Sequence, residues 1–459
     1  MKYSAPGPDG IPFWLYKQFS GQLSSIIAKL IIFSLSQCLA PALWRHAQIT
    51  PVPKTNPVSG PSDFRPISVT SLLSRLTERI IVHDYVLPCL KPELFTDQYA
   101  YKPTGSTTCA LIDFTYRIHN MLETNRYVRV VFLDLSKAFD MVDHPILINK
   151  LATLKISLFI IKWIVSFLSD RTQTTNFKFT QSSSASINRS VVQGSGLGPF
   201  CFLCLISDLK PLDIINILLK YADDCNLMCP ENTPTSVEQE MQHILQWAST
   251  NKLLLNLIKT KEMIFHWPAP KLFVFPAELA GIERVNSFKL LGVTFHPQLQ
   301  FSEHISTLIT VCNQRLYLLT QLKKQGLRLS ETYMVFKAII LSKIIYAIPV
   351  LLVYFTESHI SQICAIFKKA RQWQLTVEVI DFVALVEKLQ YNLFQKSRSS
   401  THCLNHLYQP SQNTSAMVLR NKGHNFNVPY VKFDFNTKHF IHRCLSKYQN
   451  NCAAASTCQ

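Results

Sequence analysis

The chain has 459 residues, and Lys and Arg outnumber Asp and Glu by 46 to 29, which gives a net charge of +17. The content of 47% hydrophobic and 16% charged residues excludes a disordered chain, and 12 glycines with no sustained heptad exclude collagen and a coiled coil. At about 150 residues per domain, the length suggests about three domain-sized units. Because acids are scarce, we expect polyanionic partners, with nucleic acid favoured over an acidic membrane surface.

The predicted elements alternate between helices and short strands as far as residue 295, and helices dominate from about residue 300 onward. In chain order they are a helix at 13–40, a proline-broken edge strand at 49–54, a helix at 71–86, a buried strand at 128–133, helical stretches at 138–151 and 158–168, a hairpin at 174–192, a glycine-rich turn at 193–199 that opens a helix, a strand–turn–strand unit at 214–229, a helix at 236–251 and a strand at 288–295.

Two apolar stretches have the composition of membrane spans. Residues 156–168 are too short to cross a bilayer and contain Lys162, whereas residues 338–355 are long enough but contain Lys343 and Pro349. Both are therefore predicted to be buried helices of a chain that does not enter a membrane.

The 13 cysteines are scattered, and no secretory signal precedes them, so we expect reduced thiols inside a cell. Cys201 and Cys204 have CxxC spacing but lie in an apolar run, where packing is favoured over zinc binding. The tail carries further cysteines and histidines whose spacing matches no compact ligand motif, so a metal site is not favoured there. These residues are Cys403, Cys444, Cys452 and Cys458 with His402, His406, His439 and His442.

Aspartates follow the predicted strands at two places. Asp134 ends the strand at 128–133, and Asp223 and Asp224 lie in the turn of an apolar strand pair. Three converging carboxylates would repel each other unless a cation lay among them. Oxygen ligands suit Mg²⁺ or Mn²⁺, and two such ions about 3.5–4 Å apart can support an in-line phosphoryl displacement.

Five segments, in this order along the chain, resemble the motifs of reverse transcriptases from non-LTR (LINE-type) retrotransposons. They are APGPDG at 5–10, FRPIS at 64–68, FLDLSKAFD at 132–140, VQGSGLGP at 192–199 and YADD at 221–224. The resemblance covers roughly residues 1–350. It implies an α+β right-hand polymerase with fingers, an antiparallel-sheet palm and a helical thumb, in a chain that lacks the upstream endonuclease of the family.

The resemblance also implies roles for individual residues. Asp134, Asp223 and Asp224 match the catalytic ligands of two Mg²⁺ (or Mn²⁺) ions, and Phe139 matches the aromatic residue that excludes a ribose 2′-OH. The residues that match nucleotide-binding and primer-grip positions are Lys54 and Arg65 for the triphosphate, Gln193 and Gly194 for the nucleotide and template, Lys259 or Lys261 for protonation of pyrophosphate, and Leu291 and Gly292 for the primer grip. Core packing for Phe139 and solvated surface charges for Lys54 and Arg65 remain open alternatives.

The predicted domains are fingers at 1–127 (with the start of the palm), palm at 128–296, thumb at 297–365 and a basic C-terminal extension at 366–459. Between Lys368 and Lys447, twelve Lys and Arg stand against four Asp and Glu, so we expect this extension to be a separate basic unit that contacts nucleic acid. The expected partners are an RNA template, a DNA primer or target and deoxynucleoside triphosphates, and the expected location is the nucleus or cytoplasm. The alternatives are an inactive remnant that only binds nucleic acid and a maturase or telomerase relative.

Overall fold

The computed structural model describes residues 6–54, 56–90, 92–267, 274–410, 424–431 and 434–449. Ala5 of the first motif, Cys452 and Cys458 lie outside these ranges. The described residues form a mixed helix and sheet fold, which confirms the predicted α+β class.

The helices occupy the two ends of the chain and flank the sheets in its middle. They are α1 (Phe13–Gln18), α2 (Ser20–Ser36), α3 (Ala42–Arg45), α4 (Leu72–Ile80), α5 (Thr107–Leu122), α6 (His144–Ala152), α7 (Leu158–Leu168), α8 (Gly198–Ile206), α9 (Val237–Thr250), α10 (Ser302–Lys324), α11 (Leu329–Phe336), α12 (Ser342–Ile345), α13 (Ile348–Leu351), α14 (Glu357–Gln372), α15 (Phe382–Ser397) and α16 (Phe440–Tyr448).

The strands lie between residues 46 and 295 and form three sheets. They are β1 (His46–Pro53), β2 (Phe64–Val69), β3 (Tyr127–Leu133), β4 (Arg171–Phe177), β5 (Thr180–Gln181), β6 (Ala185–Ile187), β7 (Ile217–Tyr221), β8 (Asp224–Pro230), β9 (Lys261–His266), β10 (Glu283–Arg284), β11 (Phe288–Leu290) and β12 (Val293–Phe295).

The first sheet has the order β2-β1-β4-β5, with β6 also paired to β4. The predicted edge strand at 49–54 agrees with β1 except at its start, because the strand begins at His46, and Gln48 and Ile49 pair with β2 on one side and with β4 on the other. Residues 50–53 of β1, which include Pro51 and Pro53, pair only with β2. Pro51 lies opposite Pro66, so the two residues that lack an N–H group face each other in the sheet. The sheet tolerates the prolines because β4 pairs only with the residues that precede them.

The second sheet contains the predicted catalytic strands in the order β10-β9-β3-β8-β7. Its central strand β3 is covered on both faces, which explains its continuous apolar run. Val130 and Phe132 pack in one core with α5, whereas Val131 and Leu133 pack in another with α9.

The predicted strand at 288–295 is wrong, because β11 and β12 form a hairpin there. Leu291 and Gly292 make its turn with φ of 43° and 84°, a left-handed backbone that reverses the chain. Likewise, the helical stretch predicted from residue 138 begins at 144, where the Asp143 carboxylate accepts the Ile146 N–H as a cap. In both cases a turn interrupts an apolar stretch that the sequence pattern assigns to one continuous element.

One helical stretch in the described residues, Leu329–Tyr354, is long and apolar enough to span a membrane. It is broken by the left-handed Ala347 (φ 54°), which directly precedes α13. Ile340, Ile344 and Ile348 are fully buried in the same core as β3. The structure thus agrees with the prediction of a core helix.

The C-terminal part is not a separate unit in the described residues. Phe394, Leu404 and Ile441 belong to the same core cluster as Phe114 of α5 and Val130 of β3. The predicted boundary between 365 and 366 falls inside α14, and α5 packs with the predicted palm. The domain limits therefore stay a prediction, but a detached C-terminal extension is wrong.

Candidate active site

The three aspartates lie at one edge of the second sheet. Leu133 pairs with Cys225, so the register continues with Asp134 beside Asp224. On the other side of β8, Tyr221 pairs with Asp224 and closes the β7–β8 hairpin around Ala222 and Asp223. Adjacent strands of one sheet therefore carry all three carboxylates to the same place, as the sequence predicts.

The proximity of the carboxylates and their burial affect their protonation. Burial raises the pKa of Asp224 to about 6, with further contributions from the negative charges of Asp223 and Asp134. Burial also raises the pKa of Asp223, and the charge of Asp134 adds to the effect. The cluster therefore resists carrying its full negative charge when no cation is present.

A neighbouring segment holds the turn that carries Asp223. Ala222 has a left-handed backbone (φ 55°), and its N–H donates to the Oε1 atom of Gln98 at 2.9 Å. The same oxygen accepts the N–H of Ala100 at 2.9 Å, and Gln98 is only 2% exposed. Gln98 is a positioning residue that sequence reasoning missed, because its partner lies in a different part of the chain.

Beneath this turn lies a buried lysine. The Nζ atom of Lys220 donates to the carbonyl oxygens of Ile206 (3.0 Å) and Leu209 (2.5 Å) and lies 3.1 Å from the Asp97 carboxylate. Lys220 is 1% exposed, and burial lowers its pKa. These contacts attach the hairpin to the end of α8 and to the segment before Gln98.

The backbone of Asp134 is fixed by the segment before β9. Its N–H donates to the Thr260 hydroxyl (3.3 Å), and its carbonyl oxygen accepts the Asn256 N–H (2.8 Å). Of the two candidate lysines, Lys261 is engaged by Glu283 at 2.6 Å and by the Ile258 carbonyl, whereas Lys259 is exposed. The geometry favours Lys259 as the lysine that is accessible to a substrate.

Phe139 and Gln193 lie in two loops that are joined by a hydrogen bond from the Val191 N–H to the Phe139 carbonyl oxygen at 3.0 Å. The Phe139 ring is half-buried and stacks on Phe202 of α8, with ring centroids 4.5 Å apart. Gln193 donates from Nε2 to the Asp140 carboxylate at 3.0 Å. Phe139 thus packs on one face against the core, which fixes its position but does not by itself establish contact with a sugar.

The glycine-rich turn runs closely past β2. Ser68 donates its N–H to the Gln193 carbonyl at 3.0 Å. Gly194 has a φ of 111°, and a Cβ atom there would lie 2.6 Å from the Ser68 carbonyl oxygen. Only glycine fits this approach without displacement of the backbone. The fully buried Glu78 also supports the turn by accepting the Leu197 N–H at 3.1 Å.

Lys54 lines a cleft of about 810 Å³ beside β1 and β2. Lys137 and Asp140 line the same cleft, and Lys137 was missed by the sequence reasoning although it lies within the first acidic motif. Arg65 is exposed on β2 between Phe64 and Pro66, which do line the cleft. Since side chains alternate along a strand, Arg65 lies on the opposite face, and the structure does not bring it to Lys54.

The predicted primer-grip turn is linked to the helical region. The Tyr346 hydroxyl donates to the Leu291 carbonyl oxygen, and a Cβ atom on Gly292 would lie 3.3 Å from the Tyr346 ring. Phe288, in β11, stacks on Phe132 of β3 with centroids 3.9 Å apart. The turn is thereby held against the strand that ends at Asp134.

The site fits divalent cations. Asp134, Asp223 and Asp224 offer only carboxylate oxygens, which are the preferred ligands of Mg²⁺ and Mn²⁺. The raised pKa values of Asp223 and Asp224 are the mark of carboxylates whose charge is uncompensated, and a bound cation would supply that compensation.

Comparison with known proteins agrees with this geometry. Residues 52–295 match the family described as "Reverse transcriptase (RNA-dependent DNA polymerase)", which is more than half of the chain and includes all three aspartates. Enzymes of this family generally depend on divalent metal ions.

Curated relatives come from mobile elements. The chain is 28% identical to the probable RNA-directed DNA polymerase from transposon BS of Drosophila melanogaster, over 60% of this chain and 32% of that protein. It is 30% identical to a Pol polyprotein from a type-1 R2 retrotransposable element of Popillia japonica, over 68% of this chain and 39% of that protein. The chain thus spans between about a third and two fifths of the relatives' length.

Among solved structures, the chain is similar to telomerase from Candida tropicalis in complex with a fragment of telomeric RNA. The TM-score is 0.42 at 13% sequence identity, over 84% of this chain and 67% of that one. The family match and the mobile-element relatives, together with the clustered aspartates, lead to one conclusion: the chain belongs to the reverse transcriptase family and is related to the polymerases of non-LTR retrotransposons.

Proposed function

We propose that this chain is an RNA-directed DNA polymerase that adds deoxynucleotides to a primer 3′-OH on an RNA template, inside the cell. The observation that carries the proposal is the convergence of Asp134, Asp223 and Asp224 at one sheet edge, within the part of the chain that matches the family. The net charge of +17 supports a polyanionic template and primer.

Two Mg²⁺ (or Mn²⁺) ions held by the three aspartates would activate the primer hydroxyl and stabilise the leaving pyrophosphate. The protein's own contribution is to position the reactants and to supply fixed charge. Lys54 and Lys137 line a cleft that can receive the triphosphate, and Lys259 is accessible for proton donation to pyrophosphate. Arg65 remains a candidate phosphate ligand on the other face of β2.

The half-buried Phe139 and the turn at Gln193 and Gly194 would select and orient the nucleotide. The stack on Phe202 supports the Phe139 ring from one side and would oppose its displacement by an extra 2′-oxygen. Leu291 and Gly292 would hold the primer end near the aspartates, where β11 packs on β3.

The test is primer extension by the full chain on poly(rA) with an oligo(dT) primer and dTTP. We expect extension that requires Mg²⁺ or Mn²⁺, is abolished in Asp223→Asn and is unchanged in Asp170→Asn, a control carboxylate whose side chain is 88% exposed. Binding of the template–primer should survive in both variants, since the loss concerns chemistry.

Two outcomes would contradict the proposal in different ways. Extension by Asp223→Asn at the native rate would refute the assignment of the aspartates. A native chain that binds template–primer but does not extend it would indicate the alternative, an inactive remnant that only binds nucleic acid.

A further inference from the structure

Two thiols and one imidazole, from two distant segments of the chain, lie close together in the fold. Cys109 lies in the first turn of α5, whereas His402 and Cys403 follow α15 in the C-terminal part. One ligand atom from each residue lies within 4.8 Å of the other two. We call these three residues the Cys–His–Cys cluster.

The cluster is built into the fold rather than exposed on it. Cys109 is 1% exposed, Cys403 is 8% exposed and His402 is 9% exposed. Thr104 anchors both cysteines, since its carbonyl oxygen lies 3.2 Å from the Cys403 sulfur and 3.8 Å from the Cys109 sulfur. Its hydroxyl also accepts the Cys403 N–H at 3.0 Å, which fixes the C-terminal loop against the start of α5.

An open cleft reaches the cluster. It has a volume of about 520 Å³ and is lined by Cys109 and His402 together with Gly105, Lys396 and Ser399. An ion could therefore enter from solvent, and a water molecule could occupy a further coordination position.

The distance between His402 and Cys403 is close to that of two ligands in a tetrahedral site. With Zn–S near 2.3 Å and Zn–N near 2.0–2.1 Å, ligand atoms around zinc lie about 3.6–3.8 Å apart. The His402 Nδ1 atom is 3.9 Å from the Cys403 sulfur. That nitrogen now accepts the Leu404 N–H at 3.2 Å, a hydrogen bond that a metal ion at Nδ1 would replace.

The thiols are already unequal without a metal. The hydrogen bond from the Cys109 thiol lowers the pKa of the Cys403 thiol, and His402 and Thr104 act in the same direction. The same hydrogen bond and burial raise the pKa of the Cys109 thiol, so both thiols would have to lose their protons to a metal ion. Two thiolates would balance the charge of a divalent ion, and the imidazole would be neutral. The occupied site would therefore have no net charge, which suits its buried position.

We propose that Cys109, His402 and Cys403 bind one Zn²⁺ ion, with water from the cleft as the fourth ligand. Two sulfurs and one imidazole nitrogen are the donors of zinc and not of Mg²⁺, so this ion would be distinct from those at the aspartates. Binding would release the thiol protons to solvent without any change of oxidation state. The ion would join α5 to the C-terminal part and so fix the latter behind the active site.

The test is the zinc content of the full chain, purified under reducing conditions, incubated with Zn²⁺ and freed of loose ions by gel filtration. We expect Cys403→Ser and His402→Asn each to lose one zinc equivalent per chain relative to the native protein. Cys364→Ser, which alters an exposed cysteine outside the cluster, should retain the native content. Co²⁺ in place of Zn²⁺ should give thiolate-to-metal absorption in the native chain and not in Cys403→Ser.

The thermal unfolding temperature in chelator separates metal loss from misfolding. We expect His402→Asn to unfold close to the native temperature in chelator and to gain no stability when Zn²⁺ is added, whereas the native chain is stabilised by it. A native chain that retains no zinc, or an unchanged zinc content in both cluster variants, would overturn the proposal. Recovery of a Cys109–Cys403 disulfide in place of bound zinc under these reducing conditions would overturn it too.

Discussion

The proton equilibrium of the acidic cluster links catalysis to stability. Asp224 has an ordinary pKa of 3.8, which the fold raises to about 6 through burial and the charges of Asp223 and Asp134. Between about pH 4 and pH 6 the folded chain therefore binds more protons than the unfolded chain. The stability of the metal-free protein should fall as the pH rises through this window.

The variant Asp224→Asn removes this penalty. Without metal, we expect it to unfold at a higher temperature than the native chain at pH 7.5, and the difference should shrink towards pH 4. Thermal unfolding in EDTA across this pH range measures the effect, with Asp170→Asn as the exposed control. A variant less stable than the native chain at pH 7.5 would show that the carboxylate contributes to stability instead.

The buried amide of Gln98 provides a second residue-scale prediction. Gln98→Leu would leave the N–H groups of Ala222 and Ala100 without their acceptor, at a cost of about 1–3 kcal/mol for each group that stays buried. We expect lower stability and, at a temperature where the variant is folded, slower primer extension. Gln242→Leu, on the exposed side of α9, should change neither property.

At the scale of elements, the glycine-rich turn and β2 depend on each other. Gly194→Ala would place a Cβ atom 2.6 Å from the Ser68 carbonyl oxygen, and the alanine would have to adopt the positive φ of Gly194. We expect the free energy of unfolding to fall by about 1–3 kcal/mol. Gly196→Ala is the matched control. A Cβ atom added to Gly196 would approach no atom more closely than the Glu78 Cβ, at 3.3 Å, and the Gly196 backbone is not left-handed. Chemical denaturation compares the two, and equal losses of stability would contradict the role assigned to Gly194.

Sequence patterns predict an element when the pattern reflects the element's own surroundings. The structure has β3 and the helix at 158–168 where the sequence predicts them. In both elements most of the side chains are apolar and buried, so the sequence pattern reflects the burial directly. The turn at Leu291 was missed since it interrupts an apolar run without a polar signal. The prolines of β1 indicated an edge but could not show that only the residues before them pair with β4.

The same distinction applies to the site. The three aspartates could be predicted because each follows a strand that the sequence reveals. Gln98 and the partnership of Cys109 with His402 and Cys403 could not, since they depend on contacts between segments that only the fold brings together. Spacing along the tail gave no indication of the proposed zinc site, because one of its three residues lies in α5.

At the scale of the whole molecule, the C-terminal part and the second sheet share one core, so we expect each to stabilise the other. Leu404 is fully buried in the cluster that contains Val130 of β3, so Leu404→Ala should lower the free energy of unfolding by about 2–5 kcal/mol. Hydrogen exchange of the β3 amides should accelerate in this variant, although β3 is unaltered.

Val383→Ala, at a side chain that is 60% exposed on α15, should leave the β3 amides as protected as in the native chain. If hydrogen exchange in Leu404→Ala were faster only in the C-terminal part, that part and β3 would unfold independently. Faster exchange in β3 would show that one cooperative unit extends from the catalytic sheet to α16.

The hydrogen bond between Tyr346 and the Leu291 carbonyl has a mechanical consequence. It joins the junction between α12 and α13 to the turn that is proposed to hold the primer end. A rotation of these helices would therefore move the turn, and through the stack of Phe288 on Phe132 it would also act on the strand that ends at Asp134. A primer end held at this turn, as proposed, and the aspartates at the end of β3 would therefore respond together to a displacement of these helices.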